Sequence, residues 1–155
     1  MVLVVAAVVL ILDQASKAIV VATRPGEAPV ELLGGLLTLT YVRNPGAAFS
    51  IGTGTTWVFT IIAAVVAVVI VRTSARLRSL PWALALGALL GGSLGNLSDR
   101  IFRAPGVARG YVVDWIQLPH WPVFNVADMA IVGAAVGMVL LSLAGRELDG
   151  TVHRG

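Results

Sequence analysis

The sequence predicts an α-helical polytopic membrane protein: four transmembrane helices with a small extracytoplasmic β-element. Two observations predict it. Hydrophobic residues fill 57% of the 155 positions and charged residues only 12%, too few charges to solvate the surface of a water-soluble domain. The apolar residues also gather into four long runs. A spanning helix needs about 20 such residues, because it rises about 1.5 Å per residue across a hydrocarbon layer about 30 Å thick.

The first run covers about 2–22. It has no basic leader, and Asp13 and Lys17 interrupt it, so it reads as a retained helix rather than a cleaved signal peptide. A β-element follows at about 30–43, where Leu37, Leu39 and Tyr41 alternate with Thr38, Thr40 and Val42. Gly34-Gly35 suits its turn. So small a sheet cannot bury itself and is expected against the helix ends. The remaining runs, about 55–71, 80–98 and 126–145, complete the four helices and leave a single membrane-embedded domain, 1–155.

Charge sets the expected orientation. Arg72, Arg76 and Arg78, with no acid among them, place the connection between the second and third helices in the cytoplasm, and both termini with it. Arg24 and Arg43 are balanced by Glu27 and Glu31, as befits a translocated loop. Arg100, Arg103 and Arg109 alone would argue for the inside, but an even number of crossings separates their loop from that first one.

Several chemistries fit poorly. With no cysteine there is no disulfide, thiol nucleophile, cysteine metal site or lipidated cysteine on the chain itself. The net charge of +3 is neither run together nor interleaved with stacking aromatics, which argues against nucleic acid. His120 and His153 lack ligand spacing, and no phosphate-binding glycine loop is present. Ser16 and Lys17 are neighbours that face apart on a helix, a poor serine-lysine dyad.

Polar residues in or beside a spanning helix are costly unless paired, and so are functional candidates. Asp13 and Lys17 lie four apart on one helical face; they suit either a structural ion pair, with Lys17 snorkelling outward, or a functional one. Asn96, Asp99 and Arg100 give an amide, an acid and a guanidinium at the end of the third helix, although Arg100 alone could meet lipid headgroups. In Asn44-Pro45-Gly46-Ala47-Ala48-Phe49, Pro45 and Gly46 re-aim the backbone and leave Asn44 able to hydrogen-bond an extended peptide. Asp114 stands alone in the apolar run from Val112 to Ile116. Asn125 is a good N-cap for the fourth helix and puts Asp128 in its first turn, where the helix dipole favours a carboxylate. Capping explains Asp128 but not Asp114.

Taken together, Asp13-Gln14-Ala15-Ser16-Lys17, the Asn44 to Phe49 stretch, Gly91-Gly92-Ser93-Leu94-Gly95-Asn96-Leu97-Ser98-Asp99-Arg100, Val113-Asp114 and Phe124-Asn125-Val126-Ala127-Asp128 resemble the bacterial lipoprotein signal peptidases, also called signal peptidase II. The motifs stand in family order and span most of the chain. The resemblance implies an aspartic endopeptidase of the bacterial inner membrane that removes the signal peptide of prolipoproteins just before their diacylglyceryl cysteine. It maps Asp114 and Asp128 to the catalytic pair, Asn44, Asn96, Arg100 and Asn125 to substrate or inhibitor contact, and Asp13, Lys17, Gly46 and Asp99 to supporting roles. It also implies contact with membrane lipids and cyclic peptide inhibitors of the globomycin type.

Two neighbouring carboxyls share a proton and can serve as base and acid without metal or cofactor. A proton-coupled transporter or a structural scaffold would also use intramembrane polar groups. A transporter, however, should carry its acids near the midplane, whereas these gather at helix ends on one side.

Overall fold

A computed structural model describes residues 1–46, 56–75 and 77–152. Ala47 to Phe49 of the Asn44 stretch, Thr55, Arg76 and His153 lie outside the described residues.

Four helices carry the apolar runs: α1 (Val2–Thr23), α2 (Thr56–Ser74), α3 (Leu80–Phe102) and α4 (Val126–Leu143). All four are long and apolar enough to cross a membrane. At 22 residues α1 is about 33 Å long, the thickness of a hydrocarbon core. The large side chains point outward: Leu3, Val8, Ile11 and Ile19 of α1, Ile61 and Val65 of α2, and Val132 and Val136 of α4 are all exposed. That outer face suits lipid, which solvates apolar atoms as well as a protein core does.

Small residues line the closest contacts between helices. Gly87, Gly91 and Gly95, spaced by four, line the face of α3 against α1: Gly87 meets Val2 and Val5, Gly91 meets Ala6 and Val9, and Gly95 meets Asp13. A Cβ at Gly91 would come within 2.6 Å of the Ala6 carbonyl oxygen, so the two backbones touch only because the side chain is absent. The ascending order of these contacts makes α1 and α3 parallel. Gly92, on another face of α3, packs on Ala127 and Ile131 of α4. α3 is thus the central helix, and it runs past the expected limit near 98 to Phe102, so that Asp99 and Arg100 sit in its last turn.

At one end of the bundle lies a three-stranded antiparallel sheet. Strand β1 (Val30–Leu32) and strand β2 (Leu37–Asn44) form the expected hairpin, turning through Gly34 and Gly35 at positive φ. Strand β3 (Val112–Gln117) pairs with β2, and the register shifts between Leu39 and Val42. β3 also packs on α1 and α3. At the other end, the backbone N–H groups of Arg78 and Ser79 donate to the Leu148 carbonyl, and Trp82 Nε1 donates to Arg146 O. The tail thereby satisfies two backbone donors at the entry to α3.

Candidate active site

Asp114 and Asp128 arrive from different elements and meet through one side chain. Asn125 is the N-cap of α4: its Oδ1 accepts from Asp128 N at 2.9 Å, and its backbone N–H donates to Asp128 Oδ2 at 3.2 Å, a reciprocal capping box. The other end of the same amide donates to Asp114 Oδ1 at 2.6 Å. Asn125 is fully buried and Asp114 nearly so.

Each of three asparagines is held in one orientation by a partner that can only donate. Asn125 Oδ1 faces a backbone N–H, so its Nδ2 must face Asp114. Asn44 Oδ1 accepts from Gly46 N at 2.8 Å, which turns its Nδ2 to Asp114 Oδ2, also at 2.8 Å. Asn96 Oδ1 accepts from Lys17 Nζ at 2.9 Å, and its Nδ2 donates to Asp128 Oδ1 at 2.8 Å. A lysine ammonium has donors and no acceptor, and so fixes the flip of the amide. All three amides therefore present N–H groups to the two carboxyls.

Burial pushes the Asp114 carboxyl up to about 6; the charge of Asp128 adds to that rise, and the N–H groups of Asn44 and Asn125 oppose it.

Behind this layer lies a buried ionic cluster. Lys17 Nζ stands 2.8 Å from Asp13 Oδ2 and 2.9 Å from Asp99 Oδ2, and none of the three side chains is exposed. Lys17 thus points into the bundle and does not snorkel: three acceptors brought by α1 and α3 hold it more strongly than water at the helix end. Asp13 Oδ1 accepts from Ala127 N at 2.9 Å, tying α1 to the first turn of α4. Asp99 also accepts from Arg103 Nε and from the backbone N–H of Val113, next to Asp114.

Arg100 turns toward α2, its guanidinium 5.6 Å from the centre of the Phe59 ring. It is buried rather than turned to lipid, attracted by Asp114 and Asp128 among others, and among the described residues its Nη1 has no hydrogen-bond partner. Gly46 has φ +98, and a Cβ there would lie 3.1 Å from the Phe59 ring. Both conditions call for glycine.

Sequence reasoning passed over Gln14, Gly95 and Arg103. Gln14 Nε2 donates to Gly95 O at 3.0 Å and also reaches Asp13 and Asp99. A Cβ at Gly95 would lie 2.5 Å from Asp13 Oδ2. An amide within a spanning helix and a glycine repeat spaced by four were the available signals.

Residues 5–144 match the family model described as signal peptidase (SPase) II. The lipoprotein signal peptidase of Streptomyces coelicolor is 54% identical over 144 residues, covering 93% of this chain and 71% of the relative. That of Mycobacterium tuberculosis H37Rv is 53% identical over 154 residues, covering 99% and 76%. A bacterial membrane enzyme solved by the in meso method at 2.3 Å superposes with a TM-score of 0.80 at 28% identity, covering 92% of this chain and 87% of that one. The chain belongs to the signal peptidase II family.

Proposed function

We propose that this peptidase is a membrane aspartic endopeptidase that cleaves the signal peptide from diacylglyceryl-modified prolipoproteins just before the lipidated cysteine. The observation that carries the reading is the convergence of Asp114 and Asp128 on Asn125. A buried carboxyl and a half-buried one, bridged by one amide and faced by N–H donors, suit a pair that shares a proton. No metal or cofactor is required by it.

In this mechanism Asp128, in the first turn of α4 where the helix dipole favours negative charge, takes a proton from water, whose oxygen attacks the scissile carbonyl carbon. Asp114 carries the other proton and polarises the carbonyl oxygen. As the C–N bond breaks, the amine leaves with a proton and the two carboxyls return to their shared state. Arg100, whose buried Nη1 has no partner among the described residues, and Asn44 bind the extended peptide. Asn96 and Asn125 shape the pair, and Asp13, Lys17, Asp99 and Gly46 hold those residues in place. The same residues would take cyclic peptide inhibitors of the globomycin type.

The orientation belongs to the proposal as well. The chain acts as one membrane-embedded domain in the bacterial inner membrane, with both termini cytoplasmic and the sheet and carboxyls near the outer face. Arg72 and Arg78 at the opposite end support it, and the diacylglyceryl anchor would then set the depth of the scissile bond. The test is incubation of the purified protein with a lipidated precursor and with the same precursor lacking lipid. Cleavage before the cysteine of the lipidated form alone is expected; no cleavage, or cleavage that survives Asp114→Asn, rejects the reading.

A further inference from the structure

The aspartates use only one face of the sheet. Val42 stands opposite Asp114 and Arg43 opposite Val113, so alternation puts Asp114 and Asn44 on one face and Tyr41, Arg43 and Val113 on the other. On that second face is a cavity of about 260 Å³. Tyr41, Arg43 and Val113 line it from the sheet, Tyr111 from just before β3, Arg103 from just past α3, and Val21 from near the end of α1. It therefore lies where two spanning helices stop, at the level of lipid headgroups. Tyrosine and arginine are the residues that prefer this depth.

Both guanidiniums are anchored by their inner nitrogen. Arg43 Nε donates to Tyr41 Oη at 2.8 Å, and Arg103 Nε to Asp99 Oδ1 at 2.6 Å. Among the described residues, no hydrogen bond or ion pair uses the terminal Nη atoms of either. Lys17 and Arg103 balance Asp13 and Asp99, whereas Arg43 has no acidic partner among the described residues. The cavity thus has one uncompensated positive charge, two guanidinium forks held in place, and an apolar side formed by Val21 and Val113. Guanidinium forks match phosphate oxygens in pairs, and basic pockets beside spanning helices suit anionic headgroups.

We propose that this cavity binds the phosphate of an anionic phospholipid headgroup, with the apolar side taking the start of the lipid's glycerol and acyl portion. Such a lipid would pin β2 and β3 against the ends of α1 and α3 from the side opposite the aspartates.

Native mass spectrometry of the purified full chain tests it. Phosphatidylglycerol and phosphatidylcholine with the same acyl chains are titrated separately, and inorganic phosphate is added as a competitor. Phosphatidylglycerol should be retained over phosphatidylcholine. Arg43→Gln and Arg103→Gln should each weaken it about fivefold, the effect of one basic residue at an anionic lipid surface. Arg109→Gln, exposed at the same end, should leave it unchanged. Should Arg103→Gln fail to fold because Asp99 loses a partner, Arg43→Gln decides alone, since that exposed side chain contacts Tyr41 and not the buried cluster. Equal binding of the two lipids, or an Arg43→Gln effect no larger than that of Arg109→Gln, overturns the proposal. Displacement of the lipid by equimolar inorganic phosphate overturns it too, because the site would then take a soluble anion.

Discussion

Lys17 Nζ lies 2.9 Å from Asn96 Oδ1, and this contact joins the buried ionic cluster to the side chain that bonds Asp128. The ammonium determines which end of the Asn96 amide faces Asp128. Lys17→Met removes that constraint and leaves Asp13 and Asp99 buried with one cation fewer. The expected cost is about 3–5 kcal/mol, read as a lower thermal midpoint in detergent, together with loss of cleavage. The double variant Lys17→Met/Asp99→Asn should regain part of that stability but none of the activity, because Asn96 Oδ1 keeps only the longer bond from Asn125 Nδ2, at 3.2 Å. Recovery of cleavage along with stability would reduce Lys17 to an ion-pair role.

Replacing either aspartate should stop the chemistry without unfolding the chain. Asp114→Asn and Asp128→Asn each keep the side-chain volume, and each should lower the rate at least about a thousandfold, as removal of one member of a catalytic unit does. Thermal midpoints near that of the parent protein would show that the loss is chemical. Substantial activity in either purified variant would exclude the shared-proton mechanism.

Gly95 and Gly133 offer a contrast between two spanning helices. A methyl group at Gly95 would meet Asp13 Oδ2 at 2.5 Å, whereas one at Gly133 has nothing within 4 Å. Gly95→Ala should therefore destabilise by about 1–3 kcal/mol, as overpacking does, and impair activity by shifting Asp13 from Ala127. Gly133→Ala should be close to neutral in both. Thermal denaturation of the two variants side by side distinguishes them, and equal effects would mean that the close approach of α1 and α3 is not required.

The proposed orientation can be read with single cysteines, since the chain has none of its own. Cysteines at Ser74 and Gly35, at opposite ends of the bundle, should be labelled by a membrane-impermeant thiol reagent from opposite sides in cells and inverted vesicles. Labelling of both from the same side would contradict it.

The four helices were legible because lipid requires long apolar runs, and Asn125 with Asp128 because a capping box is local in sequence. What was less legible depends on contacts across the chain. Asn44 and Asp114 are 70 positions apart, so nothing near either one announces that β3 joins the hairpin of β1 and β2. Lys17 was equally compatible with snorkelling until α3 supplied Asp99 and Asn96. The direction of Arg100 followed from Phe59 on another helix. The glycine spacing of α3 was visible, but only the packing of α1 onto it gives that spacing a meaning.

The position of the Asp114 proton makes the last prediction. Its carboxyl sits at about 6 rather than the ordinary 3.8, so the protonated form persists to higher pH than in a solvated aspartate and is lost as the pH rises through about 6. If the working enzyme holds one proton on the pair, kcat/KM should fall on the alkaline side with a limb near 6 in the free enzyme. Asn44 donates to Asp114 Oδ2 at 2.8 Å and favours the charged form. Asn44→Ala removes that donor, so the charged form becomes less favourable and the alkaline limb should move upward, by about one pH unit for a hydrogen bond to a charged group. Overall activity should drop as well, but the position of the limb is the informative quantity. Arg109→Gln, exposed at the same end, should leave the limb in place. A limb that stays put or moves downward in Asn44→Ala would show that Asp114 does not hold the proton whose loss ends activity.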